Sequence, residues 1–192
     1  MSEPTIVTKK WTRAEYDRLA EAEILGPDDH VELLGGEIVL KEPQYSPHAT
    51  GIELAARALR RAFGDGWNVR TQLPIALDDD SEPEPDVSVV PGDPRDYRDA
   101  HPAHPVLIVE VSLSRLGFDR AHKGGLYARA GMADYWVVNI PERQLEIYRD
   151  PIPDIAARFG WRYGRISSRR SDDRVSPLAV PAAEILVADL LP

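Results

Sequence analysis

The pattern of hydrophobic and polar positions predicts a chain of alternating helices and strands. A capping-box sequence at residues 12–15 begins a first helix, which we expect to run to about Ile24. Residues 31–40 then alternate as a β-hairpin with a two-residue loop. In that register Glu32 and Glu37 lie together on the face opposite the buried side chains, and solvent exposure is the simplest interpretation of both.

A second helix is predicted from Ser46-Pro47 onward, with these residues in the cap and first-turn positions. Its inward stripe consists of apolar residues at helical spacing: Ile52, Ala55, Ala56, Leu59 and Phe63. His48 lies one turn before this stripe, where a lone histidine is more often an edge residue of the core than a ligand. A strand from Trp67 to Leu77 follows and leads into an acidic run at residues 78–84, which is typical of a solvated loop.

Residues 105–139 predict two buried strands around one helix, and they carry charge where core residues are expected. Val106 to Val111 form a nearly continuous aliphatic run, typical of a strand covered on both faces, yet Glu110 lies inside it. Since side chains alternate along a strand, Glu110 and Ser112 share one face at the strand's end. We therefore expect Glu110 to have a buried partner.

The helix after this strand offers that partner. It is expected to be capped by Asp119 and to end at Gly131, and its inward stripe comprises Lys123, Leu126, Tyr127 and Ala130. A lysine is almost never fully buried without a partner, which makes Glu110 the natural one for Lys123. Two alternatives stay open: Lys123 extends along the stripe's edge to solvent, or it pairs with Asp119 one turn earlier.

A second acidic position, Asp86, opens a short predicted strand that runs to Val90. Two carboxylates on adjacent strands can hold a hard divalent cation through oxygen, and a nearby ammonium can orient or stabilise an attacking water. Asp86, Glu110 and Lys123 supply that set of groups. The hydrolysis of a phosphodiester requires this combination.

In this order the residues resemble the Uma-type family of restriction-endonuclease-like proteins, within the PD-(D/E)XK nuclease superfamily. The resemblance covers about residues 31–148 and is carried by 31–38 (VELLGGEI), 46–48 (SPH), 85–86 (PD), 110–112 (EVS), Asp119, Lys123, Tyr127 and 131–136 (GMADYW). The superfamily pattern usually places a lysine two residues after the glutamate, a position that Ser112 holds here. The resemblance therefore implies that the lysine has moved to the following helix, as Lys123.

The resemblance implies an α/β fold with a restriction-endonuclease-like mixed β-sheet flanked by helices. Strand patterns at residues 135–138, 144–148 and 161–167 would complete that sheet. It also implies a metal-dependent DNA endonuclease, in which Asp86 and Glu110 ligate Mg²⁺ or Mn²⁺ and Lys123 is catalytic. Further side chains are implied as auxiliary residues of the site: Glu32, Glu37, His48, Ser112 and Tyr127.

Two features depart from what the family pattern and a regular helix would favour. Family members commonly continue after the glutamate into a Ser-Pro-Ser/Thr turn, whereas residues 112–115 read SLSR, so the loop over the site is expected to differ. Gly124-Gly125 directly follows Lys123, and each glycine in a helix interior costs about 0.8–1 kcal/mol relative to alanine. Either the helix passes close to another backbone, or it is locally loose.

Composition restricts the class of protein. The 192 residues fit one domain with its core at about residues 31–148, and the absence of cysteine excludes disulfides and thiolate metal sites. Met1 to Trp11 lack an apolar signal region and no run approaches about 18 apolar residues, so we expect a cytoplasmic protein without membrane contact. The apolar tail from Ser176 to Pro192 is either a packing segment or a contact between two copies in a homodimer.

The charge balance limits how the protein would bind DNA. A net charge of −9 argues against a protein that coats nucleic acid nonspecifically, but it does not exclude a nuclease with a local basic face. The candidates for such a face are Arg57, Arg60 and Arg61 on the second helix, and Arg115, Arg120 and His122 near the proposed site. Solvated helix faces are the alternative for both clusters. For the whole protein, the alternative is a catalytically inactive nuclease-fold module that binds nucleic acid or protein.

Overall fold

The computed structural model of the protein describes residues 8–41 and 43–192. The strands are β1 (Val31–Leu34), β2 (Glu37–Leu40), β3 (Trp67–Thr71), β4 (Val87–Pro91), β5 (Leu107–Ser112), β6 (Asp134–Asn139), β7 (Gln144–Pro153), β8 (Trp161–Arg170), β9 (Arg174–Val175) and β10 (Ile185–Leu186). The helices are α1 (Arg13–Glu21), α2 (Ser46–Phe63), α3 (Leu116–Phe118) and α4 (Gly124–Arg129), and a π-helical segment, Asp119–Lys123, joins α3 to α4. Short 3₁₀ helices lie at Pro27–Asp29, Pro94–Tyr97 and Val187–Leu190.

Six strands form one mixed sheet in the order β3-β4-β5-β6-β7-β8. Neighbouring strands are antiparallel except β5 and β6, which are parallel and connected through α3, the π-helical segment and α4. A parallel pair needs such a crossover, because a tight turn can join only antiparallel strands. The predicted α/β class with a mixed sheet flanked by helices is confirmed. Within the described residues, no helix is long and apolar enough to cross a membrane.

The sheet separates two hydrophobic cores. On one face, α2 and the C-terminal segment pack against the central strands, and Ile185, Leu190 and Leu191 of that segment are buried. The segment therefore packs within its own chain, and a homodimer contact stays a prediction. On the other face, α4 packs over a cluster of buried aromatic rings contributed by Tyr127, Tyr135, Tyr148 and Tyr163. Glu110 faces this second core.

The predictions for the N-terminal helices and hairpin are correct in register, but they differ from the structure in where the helices begin and end. α1 follows the predicted capping box but ends at Glu21 rather than Ile24. The hairpin pairs Glu32 with Val39 in the predicted register, and the predicted apolar stripe of α2 is buried. In α2, however, Ser46 is the first helical residue and Tyr45 holds the N-cap position.

The predicted strand from Trp67 to Leu77 is wrong in its second half, because β3 ends at Thr71. Gln72 has a left-handed φ of 52°, which turns the chain out of the extended conformation. Pro74 follows, and a proline has no N–H to continue a sheet's hydrogen bonds. The chain then forms a loop that brings Asp86 back to the start of β4.

The helical crossover differs from the predicted one at its beginning. Asp119 does not cap it, because α3 already starts at Leu116 and Asp119 is the first residue of the π-helical segment. The Gly124-Gly125 pair is buried within α4, so this part of the helix is packed. A Cβ on Gly125 would lie 3.5 Å from the carbonyl oxygen of Trp161, an ordinary van der Waals distance, so α4 lies against β8 without a space that only glycine could fill.

Candidate active site

Asp86 and Glu110 meet at one end of the sheet. β4 and β5 are antiparallel with Val87 opposite Val109, so the register sets Asp86 beside Glu110. The N–H of Val111 donates to Oδ2 of Asp86 at 2.8 Å, and the N–H of Asp86 lies 3.4 Å from Oε2 of Glu110. Both acidic residues are buried. The strands themselves therefore hold the two carboxylates together.

Lys123 reaches this pair from the π-helical segment. Its Nζ lies 3.0 Å from Oε1 of Glu110, and the hydroxyl of Tyr127 donates to the same oxygen at 2.7 Å. Only 7% of Lys123 is exposed, which rules out a side chain that extends to solvent. The predicted pairing of Lys123 with Glu110 is confirmed. π-Helical segments inside α-helices occur frequently at functional sites.

Glu32 joins the cluster from the hairpin, as the resemblance implied and contrary to the simplest interpretation of the hairpin pattern, which was solvent exposure. Its Oε1 lies 3.5 Å from Nζ of Lys123, and its Oε2 accepts the N–H of Glu84 at 3.0 Å. The prediction failed because both faces of β1 are covered: Leu33 and Leu34, on opposite faces, are both fully buried. A strand covered on both faces has no solvent side for an acid.

Glu37, the other acid of the hairpin, lies outside the cluster. Its side chain is 41% exposed and forms ion pairs with Lys10 at 2.6 Å and with Arg158 at 2.7 Å. These two cations lower the pKa of Glu37, with Lys10 having the larger effect. The structure thus brings Glu32 to the candidate site but not Glu37.

His48 contacts the site from the first turn of α2. Its Nε2 lies 3.1 Å from Oδ2 of Asp86, and the hydrogen bond with Asp86 raises the pKa of His48. The helix is close to β5 because Gly51 faces Val111, where an added Cβ would lie 2.7 Å from Cγ1 of the valine. The glycine therefore permits the approach that brings His48 to Asp86.

Asp119 is a further buried acid, which the sequence analysis interpreted as a helix cap, as an alternative partner of Lys123 and as part of the family motif, but not as a residue of the site. It lines the same cleft as Lys123, and burial raises the pKa of its carboxyl, while Lys123 and the Ser112 hydroxyl oppose that shift. Its position one turn before Lys123 was the signal that could have placed it on the inward stripe. Ser112 itself is buried and lines the cleft.

The basic residues expected around the site separate into two groups. Arg115 lines the cleft, whereas Arg120 is bound to Glu146, with Nε 2.9 Å from Oε2. His122 stacks on Phe118 with ring centroids 4.6 Å apart, and burial lowers the pKa of His122 to about 4. It is therefore neutral at pH 7 and supplies no charge. The second cluster, at Arg57, Arg60 and Arg61, lies on the exposed face of α2.

Glu32, Asp86, Glu110 and Lys123 line one cleft, which has a volume of about 640 Å³. Its acidic lining residues are Glu32, Glu84, Asp86, Glu110 and Asp119. Burial is the main reason that the pKa of Glu110 is raised to about 8, and Asp86, Asp119 and Glu32 act in the same direction. Lys123 opposes that shift but is a single cation. The floor of the cleft thus carries more carboxyl groups than its buried cation can neutralise.

Comparison with known proteins bears on what such a cleft is for. Residues 13–187 match the Uma2 family, which is described as "Putative restriction endonuclease". The chain belongs to the Uma2 family. A solved structure with a similar fold is a "putative nuclease belonging to DUF820" from Anabaena variabilis ATCC 29413. Its TM-score is 0.70 at 15% sequence identity, over 94% of this chain and 97% of that chain. A comparison with curated proteins finds no match.

The donor set of this Uma2 protein fits a hard divalent cation. The described residues contain no group of three or more His, Asp or Glu side chains already placed as a metal site. Mg²⁺, however, is commonly bound through one or two carboxylates, with water and substrate phosphate completing its shell. Asp86 and Glu110 supply two such carboxylates, and the surrounding excess of acids favours a cation. Both bonds described above on Asp86 fall on Oδ2, which leaves Oδ1 outside them.

Proposed function

We propose that this Uma2 protein is an endonuclease that hydrolyses phosphodiester bonds in DNA and depends on Mg²⁺ or Mn²⁺. The observation that carries the proposal is the convergence of Asp86, Glu110 and Lys123 in one cleft, with Lys123 3.0 Å from Glu110. Fold similarity alone would not support an activity, since one fold hosts many functions. The family description agrees with this chemistry.

Asp86 and Glu110 would hold the cation, because their carboxylates are adjacent and fixed by backbone hydrogen bonds. When bound, a divalent cation supplies Lewis acidity and lowers the pKa of a coordinated water. His48 fixes Oδ2 of Asp86, and the Tyr127 hydroxyl fixes Oε1 of Glu110. These contacts keep the carboxylates oriented before substrate arrives, which lowers the cost of reorganisation.

Lys123 is the catalytic cation of the proposal. The neighbouring carboxylates of Glu110 and Glu32 raise its pKa despite burial, so its ammonium stays protonated and donates hydrogen bonds from Nζ. A charged donor beside the cation site can orient an attacking water and offset negative charge that develops on the phosphate. Arg115 supplies a further positive charge in the lining of the cleft.

The test is the incubation of supercoiled plasmid and of single-stranded DNA with the protein in Mg²⁺, in Mn²⁺ and in chelator. We expect nicked and linear products with metal and none with chelator. Asp86→Asn should reduce the rate about 100-fold or more, because it removes a charge aimed at the reacting centre. The matched control is Asp99→Asn, since the Asp99 side chain is 80% exposed and pairs only with its neighbour Arg98 among the described contacts.

A second function, a catalytically inactive module that binds nucleic acid or protein, has one observation in its favour. Lys123 is engaged by two carboxylates at once, which is also how a purely structural buried lysine is stabilised. The same assay separates the two functions. An absence of cleavage of either DNA with either metal would favour the inactive module.

A further inference from the structure

Lys123 has two buried carboxylate partners that come from different parts of the fold. Its Nζ lies 3.0 Å from Oε1 of Glu110 on β5 and 3.5 Å from Oε1 of Glu32 on β1. The exposed fraction is 7% for Lys123, 3% for Glu110 and 4% for Glu32. An ammonium group has three N–H donors and can donate to both carboxylates. Lys123 therefore keeps one partner if the other carboxylate is withdrawn.

Glu32 is held in place independently of Lys123. Its Oε2 accepts the N–H of Glu84 at 3.0 Å, and the Glu84 side chain is itself paired with Lys41 at 2.6 Å. This arrangement fixes one oxygen of Glu32 and leaves Oε1 beside Lys123. Glu110, by contrast, lies next to Asp86, and a cation bound by Asp86 would also bind the carboxylate of Glu110.

We propose that Glu32 is a positioning residue that retains Lys123 when Glu110 turns to a divalent cation. The inference rests on the proposed function, because it requires a cation at Asp86 and Glu110. A cation and an ammonium compete for the same carboxylate of Glu110. Without Glu32, cation binding would leave the ammonium of Lys123 buried without either of the two carboxylates that the described ion pairs place within 4 Å of it, which is strongly unfavourable. With Glu32, the ammonium keeps its charge and its place in the cleft.

The test measures Mn²⁺ binding by titration calorimetry, without any cleavage. Glu32→Gln keeps the shape and an oxygen for the Glu84 N–H but removes the charge. We expect it to weaken Mn²⁺ binding at least about tenfold, since it removes one partner of a buried charge pair. The matched control is Glu37→Gln, which removes one charge from the same hairpin outside the cleft and should leave the affinity within about twofold.

A double-mutant cycle identifies Lys123 as the reason for the loss. In a Lys123→Met background there is no ammonium to retain, so Glu32→Gln should change the affinity by less than about threefold. Circular dichroism checks that each variant is folded. If Glu32→Gln does not fold, Glu32→Asp replaces it, because it keeps the charge but withdraws the carboxylate from Lys123. Its loss of affinity should also disappear in the Lys123→Met background.

Three results would overturn the inference. Wild-type affinity in Glu32→Gln would make Glu32 a structural residue and would leave the proposed nuclease function standing. An equal loss with and without Lys123 would mean that Glu32 attracts the cation directly. A wild-type protein that binds no Mn²⁺ would overturn both this inference and the metal dependence on which it rests.

Discussion

Cation binding should displace a proton from Glu110, because burial favours the protonated form of this carboxyl group and a cation binds the ionised form. Burial raises the pKa of Glu110 to about 8, so part of the population carries a proton at pH 7 when no cation is bound. Binding at pH 7 should therefore release up to about one proton from this residue. The release should be smaller at pH 9, because more of the group is then already ionised.

The affinity should follow the same titration. It should rise with pH up to the raised pKa of Glu110 and level off above it. His48 contacts Asp86 and has a raised pKa through that hydrogen bond, so a cation at Asp86 would expel its proton as well. His48→Gln removes this second source and isolates the contribution of Glu110.

Titration calorimetry with Mn²⁺ measures the proton count directly. The observed heat is compared in two buffers that differ in ionisation enthalpy, at pH 7, 8 and 9, for the wild type and for His48→Gln. Glu110→Gln provides the control without the titrating group. The reasoning is refuted if His48→Gln releases no proton at pH 7, or if its affinity for Mn²⁺ is the same at all three pH values.

Three further outcomes are expected. Gly51→Ala should cost about 1–3 kcal/mol of unfolding free energy through the 2.7 Å contact with Val111, lowering the melting temperature by about 2–4 °C per kcal/mol. Gly117→Ala, with nothing within 4 Å of the added Cβ, should not destabilise the protein. In chelator, the melting temperature should fall as the pH rises from about 5 to 8. The reason is that Glu110, whose pKa is raised to about 8, stabilises the fold while it is protonated and loses that contribution as it ionises. Glu110→Gln should reduce this dependence of the melting temperature on pH. Millimolar Mn²⁺ should raise the wild-type melting temperature with the logarithm of its concentration, and Asp86→Ala should abolish most of the increase.

The parts of the site that were predictable from the sequence are those where charge interrupts a regular apolar pattern. Glu110 stands in a strand that is otherwise hydrophobic, and Lys123 lies on the inward stripe of the next helix. Two buried charges in consecutive elements have few ways to be satisfied except by each other. For this reason periodicity made Glu110 the natural partner of Lys123, with two alternatives left open, and the structure confirms the pairing at 3.0 Å.

The features of the site that the sequence pattern did not predict depend on which other elements pack against a strand or helix. The burial of Glu32 follows from packing on both faces of β1, which an alternating pattern does not reveal; the family resemblance, and not the pattern, implied that Glu32 belongs to the site. Asp119 was interpreted as a helix cap because aspartate favours that position, and the earlier start of the helix at Leu116 carries no cap signal. The approach of α2 to β5 depends on Gly51, whose role appears only once its neighbour Val111 is known.

The catalytic role of Lys123 is the central claim, and Lys123→Met tests it most directly. Methionine keeps much of the aliphatic stem and deletes the ammonium, and Glu110, whose pKa burial already raises, can remain protonated beside it. The measurement is the single-turnover rate of plasmid cleavage in saturating Mn²⁺, with thermal unfolding of the same samples as a check of folding and metal binding. We predict that the variant still folds and is stabilised by Mn²⁺ but cleaves about 100-fold to 1,000-fold more slowly than the wild type. Cleavage at the wild-type rate would contradict the account and make Lys123 a purely structural partner of Glu110 and Glu32.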